Sequence, residues 1–158
     1  MPKPATSPIP PGFHSLTIHL VVKGAAAYCD FLKHAFGAVE LHRSPGSGGK
    51  LMHATFKIGD SLLMLADDFA EEMHLPPLAE GRMPFVINLY VEDADAAWKQ
   101  ALAAGCVVAF PIADQFWGDR YGQLKDPNGI TWAISSHKED VTPAEMEERQ
   151  KAAFGAGH

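Results

Sequence analysis

The chain has 158 residues, 47% of them hydrophobic and 20% charged, a composition suited to one compact domain or two very small ones. Its net charge of −6, a pI near 5.7 and the lack of any Lys or Arg run leave no electrostatic footprint for phosphates, so nucleic acid is excluded as a partner. No apolar run approaches the roughly 20 residues that a membrane span needs, so no membrane role is expected.

The opening "MPKPATSPIPPGF" has five prolines in its first eleven residues and no apolar centre, so residues 1–12 are expected to form a flexible, extended arm rather than a signal peptide. From Phe13 the pattern becomes regular. "SLTIHLVV" alternates and is β-branched, which predicts a strand. "GAAAYCDFLKHAFG" follows as a helix, with Tyr28, Phe31, Leu32, Ala35 and Phe36 on one face and Gly37 as its stop. Three strands come next, "VELHR", "LMHATFKIG" and "SLLMLAD", separated by a glycine-rich loop and then a tight Gly-Asp turn. The order then recurs. "FVINLYV" is a strand, and "DADAAWKQALAAG" is a helix opened by Asp93 and closed by Gly105. "CVVAFPI", "RYGQLKD" and "ITWAISS" complete the second set of strands. At the end, Thr142-Pro143-Ala144-Glu145 is a capping box with Pro at the first helical position. It predicts a helix over 142–154, with i,i+4 pairs Glu145–Arg149 and Glu147–Lys151.

Landmarks in the two halves repeat at an offset of 68 to 69 residues: Val22 with Val91, Gly37 with Gly105, Phe56-Lys57 with Leu124-Lys125. The fold class expected is therefore α+β, with tandem βαβββ modules over 13–68 and 84–137 inside one domain spanning 13–141. A four-stranded sheet with one helix leaves one face bare, and two bare faces turned together would enclose a cavity. Period-2 alternation assigns Thr17, His19, Val21, His53, Thr55, Leu65 and Asp67 to the bare face in the first module. In the second it assigns Val86, Asn88, Tyr90, Tyr121, Gln123, Ala133 and Ser135. A slip of one residue would invert any of these sets.

Four fragments, "YCDFLKHAFGAVEL", "HATFKIGDSLLMLADD", "LYVEDADAAW" and "FWGDRYGQLKDPNGITWAI", stand in an order and spacing that resembles the vicinal oxygen chelate superfamily. That superfamily includes glyoxalase I, bleomycin-resistance proteins and extradiol dioxygenases, and the tail "HKEDVTPAEMEER" is similar to its PhnB-like branch. The resemblance implies paired βαβββ modules, a homodimer, a small organic ligand and, in many members, a divalent metal held on the first and last strand of each module. Carried onto this sequence, the metal positions fall at Thr17, Val86 and Ala133 and near Leu65. None of these is a His or Glu, and Val, Leu and Ala have no lone pairs to give, so no metal and no cofactor is expected in the superfamily's place. A ring displaced by two residues would use His19, Asp67, Asn88 and Ser135, with His53 leaning in, and keeps a divalent metal open as the alternative.

The loop "DQFWGDRYG" supplies the remaining site candidates. Phe116 and Trp117 suit the wall of a pocket for a planar or apolar ligand, and Arg120 could pair with a carboxylate or enolate oxygen. Equally, Trp117 could fill a module junction while Asp119 or a carbonyl holds Arg120. Tyr121 alternates inward. "DPNG" reads as a structural turn capped by Asp126, whereas Asp67 is the candidate general base. Cys29 and Cys106 show no CxxC spacing and fit two buried thiols in a reducing cytoplasm. His14, His34, His42, His74 and His158 carry no assigned role. The ligand-binding set expected is His19, His53, Asp67, Asn88, Phe116, Trp117, Arg120 and Tyr121. The function expected is that of a cytoplasmic, homodimeric small-molecule-binding protein of the glyoxalase/bleomycin-resistance type. A metal-dependent lyase, isomerase or dioxygenase is the alternative, and an interaction module with a filled cavity a third reading.

Overall fold

The computed structural model describes residue 5 and residues 7–78, 81 and 83–154. Residues 1–4 and 6 of the proline-rich arm, and His158, thus lie outside the described residues. The elements run β1 (Ile18–Val22), α1 (Ala25–Phe36), β2 (Val39–Pro45), β3 (Leu51–Ile58) and β4 (Ser61–Asp67). They continue as β5 (Ile87–Tyr90), α2 (Ala94–Ala103), β6 (Val107–Asp114), β7 (Asp119–Lys125), β8 (Thr131–His137) and α3 (Pro143–Phe154). Two units divide the chain, residues 1–79 and 80–158. Each holds one four-stranded sheet, ordered β1-β4-β3-β2 in the first and β5-β8-β7-β6 in the second. The outer pair β1·β4, like β5·β8, is parallel and the other neighbours are antiparallel. This is the α+β, twice-βαβββ architecture that the repeat predicts.

The register sorts the side chains of each sheet. In the first unit Leu20, Leu65 and Ala54 align across β1, β4 and β3, and Ile18, Leu63 and Phe56 form the next row. Five of these six are buried, as are Ala25, Tyr28, Cys29, Phe31, Leu32 and Ala35 of α1, so this is the face that takes the helix. Burying each large apolar side chain there contributes roughly 2–3 kcal/mol. His19, Met64, Thr55 and His42 make a row on the opposite, bare face. Gly37 ends α1 at φ 62°, a left-handed conformation that a side chain would strain.

Leu65 and Asp67 therefore stand on the helix side, not on the bare face where alternation placed them. "SLLMLAD" has no polar residue between Ser61 and Asp67, so its phase could not be read from the sequence alone. In the structure, pairing with β1 fixes it, through Leu20↔Leu65 and Val22↔Asp67.

In the second unit the helix face carries Ile87, Trp132 and Leu124 in one row and Leu89, Ile134 and Gly122 in the next. Trp98 of α2 lies directly over Gly122: a Cβ built there would come within 2.7 Å of the indole and of Ile112. The bare face carries Asn88, Ala133 and Gln123, then Tyr90, Ser135 and Tyr121, as the sequence predicts.

The capping box before α3 forms as read. Thr142 N donates to Glu145 Oε2 at 2.9 Å and Glu145 N donates to Thr142 Oγ1 at 3.3 Å. Of the two predicted pairs only Lys151–Glu147 is present, at 2.6 Å. Arg149 turns instead to Glu139, 2.6 Å away, which tethers α3 to the segment before it.

Candidate functional site

Asp67 is 7% exposed, and both of its carboxylate oxygens are used by backbone. Oδ1 accepts from Gly24 N and Ala25 N, each at 3.0 Å, and Oδ2 accepts from Leu51 N at 2.7 Å. Gly24 is the N-cap of α1 and has no side chain to offer, so the strand residue caps the helix in its place. A carboxylate holding three amide hydrogens has little capacity left for a cation or for a substrate proton. The expected general base is a structural cap.

Arg120 is also committed. Its Nε and Nη2 donate to Asp95 of α2, both at 2.9 Å, and Nη1 donates to Asp114 at 3.1 Å. Register puts it on the helix side of β7, one residue out of phase with Tyr121. The two carboxylates hold the guanidinium charged well above its ordinary range.

The bare face of the first unit is rich in imidazole. His19 and His53 have ring centroids 5.7 Å apart, edge to face, and His42 lies 6.2 Å from His53. His53 shares a 2.9 Å hydrogen bond between Nε2 and Thr55 Oγ1. Desolvation, followed by the charges of His19 and His42, pushes the His53 pKa down.

The bare face of the second unit holds the remaining candidates. Trp117 meets Tyr121 edge to face at 5.3 Å and Phe116 at 5.1 Å, and Phe116 in turn meets Phe154 of α3 at 5.6 Å. Phe110 stands 6.4 Å from Tyr121. Phe116 thus anchors the C-terminal helix, while Trp117 and Tyr121 begin an aromatic surface. Toward the other end of the same sheet a cavity of about 560 Å³ is lined by Met83, Pro84, Phe85, Val86, Gln123 and Thr131. Gln123 joins the two regions, because its Nε2 donates to Tyr121 Oη at 2.7 Å.

Two separate sets of polar bonds lie on this face. Ser135 Oγ donates to Asn88 Oδ1 at 2.7 Å, and Tyr90 Oη donates to Asp119 Oδ2 at 2.9 Å. Asp119, 5% exposed, also receives His137 Nδ1 at 2.8 Å, and His137 Nε2 meets Asp140 at 2.9 Å. The flanking carboxylates of Asp140 and Asp119 raise the His137 pKa, and the link to Asp119 raises that of Tyr90. Asp119 and His137 were not singled out for this face from the sequence. The signal was available: Asp119 keeps phase with Tyr121, and His137 with Ser135.

The positions that the resemblance assigns to a metal carry few donor atoms. Val86 and Ala133 offer no donor atom, Leu65 is buried on the helix side, and Asp67 is saturated by amides. Among the described residues no three His, Cys, Asp or Glu side chains group so as to hold an ion. No helix among them is long and apolar enough to cross a membrane.

Two βαβββ units, each with one face covered by a helix and one bare, define a duplicated-module α+β protein. The chain belongs to the glyoxalase/bleomycin resistance protein/dioxygenase superfamily, whose model matches residues 12–134. It is 41% identical over 146 residues to the uncharacterized protein Mb0911c of Mycobacterium bovis, covering 90% of this chain and 94% of that one. Among solved structures it is similar to TioX from Micromonospora sp. ML1, at TM-score 0.63 and 25% identity over 79% of this chain and 99% of that one. It shares its fold with the PhnB protein of Bacillus cereus, at TM-score 0.61 and 16% identity over 78% and 99% of the two chains.

Proposed function

We propose that the protein binds a small, planar organic molecule on the bare face of its second unit, and does so without the superfamily's metal site. The observation that carries this reading is the continuity of that face. An aromatic surface of Trp117 and Tyr121 leads through Gln123 into a cavity of about 560 Å³, a volume in the range of small-molecule sites. Asn88 and Tyr121 supply polar contacts, Trp117 the apolar wall, and Phe116 sets the position of Trp117. Arg120 and Asp67 act as structural ties rather than ligand contacts. A metal-dependent lyase, isomerase or dioxygenase has one observation in its favour, the 5.7 Å approach of His19 and His53.

The protein is further proposed to be a cytoplasmic homodimer. Both cysteines are free and buried, as suits a reducing compartment. Edge strands β2 and β6 expose Val39, Leu41, Val107, Val108 and Phe110, which a second copy could cover.

The test is quenching of tryptophan fluorescence by naphthalene derivatives, read on the wild type and on Trp117→Ala, alongside metal analysis of protein purified without a histidine tag. Saturable quenching that disappears in the variant, with no stoichiometric metal, is the expected result. A full equivalent of zinc, nickel, iron or manganese that is lost on His19→Ala would overturn the metal-free reading.

A further inference from the structure

The turn between β6 and β7 carries its two large aromatics at the tip. Gln115 N donates to Asp119 O at 2.8 Å and Gly118 N donates to Gln115 O at 3.0 Å, which leaves Phe116 and Trp117 as the central pair. Neither is paired in the sheet. Their rings stand at 88° to each other and go to different partners. Trp117 meets Tyr121 of β7, and Phe116 meets Phe154 of α3.

The chain after β8 grips this tip on both sides of Trp117. On the C-terminal side, Gly118 O accepts from Lys138 N at 2.9 Å and from Glu139 N at 3.0 Å. The two backbones lie so close that a Cβ on Gly118 would collide with the Glu139 carbonyl. On the N-terminal side, Arg149 Nη1 donates to Phe116 O at 3.5 Å, and Phe154 packs edge to face on the Phe116 ring at 5.6 Å. Glu139 joins the two grips, because its carboxylate accepts from Arg149 Nη1 and Nη2 at 2.8 and 2.6 Å. The residue before Trp117 and the residue after it are thus held by one stretch of chain.

α3 itself is lightly held. None of its residues is buried, and Phe154 is 74% exposed. A helix of 12 residues is marginal in water by itself, so its order depends on these few contacts. Segments secured in this way open locally at low cost.

We propose that segment 138–154 is a clamp that sets the Trp117 indole against Tyr121, with Arg149 and Phe154 as its positioning residues. The inference rests on the ligand site proposed for this face, and adds how that site is kept ready. With the clamp closed, the indole is ordered before a ligand arrives, and binding is spared that cost. With α3 undocked, Phe116 loses its partner and the indole is free to leave Tyr121. Helix docking and ligand binding therefore favour each other by the same factor.

The experiment labels the protein with 5-fluorotryptophan, identifies the Trp117 fluorine line by its loss in Trp117→Phe, and measures 2-naphthol binding by calorimetry. In Arg149→Gln and in Phe154→Ala the Trp117 line is expected to shift and broaden, while the Trp98 and Trp132 lines stay in place and report an intact core. Each variant should bind 2-naphthol roughly three- to tenfold more weakly, the cost of ordering one side chain. Lys151→Gln removes the Glu147 pair of the same helix without touching the turn, and should change neither readout. A Trp117 line unmoved in both variants overturns the clamp and leaves the ligand site standing. So does a Lys151→Gln effect equal to theirs, and a moved line with wild-type affinity overturns the positioning role. If wild type does not bind 2-naphthol, the ligand site falls, and the fluorine spectrum still decides whether α3 holds Trp117.

Discussion

Replacing Asp67 by Ala separates a structural acid from a functional one. The substitution strips acceptors from three amides: Gly24 and Ala25 at the start of α1, and Leu51 at the start of β3. Loss of a helix cap costs about 1 kcal/mol, and a buried amide left without a partner adds about 1–3 kcal/mol. The expected loss is thus about 3 kcal/mol, a large share of the roughly 5–15 kcal/mol that holds a small domain folded. Asp67→Asn keeps one acceptor oxygen but turns an NH2 group toward one set of amides, so about half the loss is expected.

Urea unfolding followed by circular dichroism measures the effect, and tryptophan fluorescence adds resolution. Trp98, Trp117 and Trp132 all lie in the second unit, so a loss confined to the first shows in dichroism ahead of fluorescence. An Asp67→Ala protein within about 0.5 kcal/mol of wild type would refute the cap, because surface changes away from such features fall in that range. Loss of ligand binding at unchanged stability would return Asp67 to the site.

Gly122→Ala should destabilise the second unit by about 2 kcal/mol or more, because its Cβ meets the Ile112 backbone at 2.7 Å and cannot be accommodated by side-chain rotation alone. Thermal unfolding read at the tryptophans checks it, and an unchanged midpoint refutes it. His137 has its folded pKa raised by Asp140 and Asp119, so its contribution is fully present below the unfolded value near 6.5 and is lost as pH rises through the folded value. Nuclear magnetic resonance titration should place its pKa above that of a free histidine, and His137→Gln should flatten the stability-versus-pH curve across that window. Burial, with a smaller effect from Asp126, pushes the Cys106 thiol up to about 12. Iodoacetamide at pH 8 should therefore leave it unmodified in the folded protein and label it on unfolding; rapid labelling of the native protein would contradict its burial.

Fold and site were legible in the sequence to different degrees. The two βαβββ units could be read because "FVINLYV" and "ITWAISS" alternate plainly and each helix ends in glycine, signals that are local. The phase of β4 could not, since "SLLMLAD" is apolar on both faces and only its pairing with β1 decides which side Asp67 takes. The sequence left Arg120 open between a ligand contact and a tie to Asp119 or a carbonyl, because its partner Asp95 lies 25 residues away on a helix, a distance at which sequence carries no pairing signal. Trp117 and Tyr121 stand four apart on one turn and strand, close enough along the chain for their rings to meet. The Ser135–Asn88 and Tyr90–Asp119 bonds join residues 47 and 29 apart in the chain, so neither partner announces the other.

The duplication also shows how one capping problem has been solved twice. Asp67 pairs with Val22, and 69 residues on Ser136 occupies the matching place beside Val91, where its Oγ donates to Val91 O. In the second unit α2 is capped locally, by Asp93 Oδ1 accepting from Ala96 N at 2.9 Å, and the strand position needs no carboxylate. In the first unit the N-cap is Gly24 at φ 74°, so the acid has moved to the end of β4. The two solutions differ in reach: Asp93 touches only its own helix, whereas Asp67 ties a helix to two strands. Asp93→Ala should accordingly cost about 1 kcal/mol, the ordinary worth of a cap, against about 3 kcal/mol for Asp67→Ala. Parallel unfolding curves for the two variants test this, and equal losses would mean that the Leu51 amide gains nothing from its bond to Asp67.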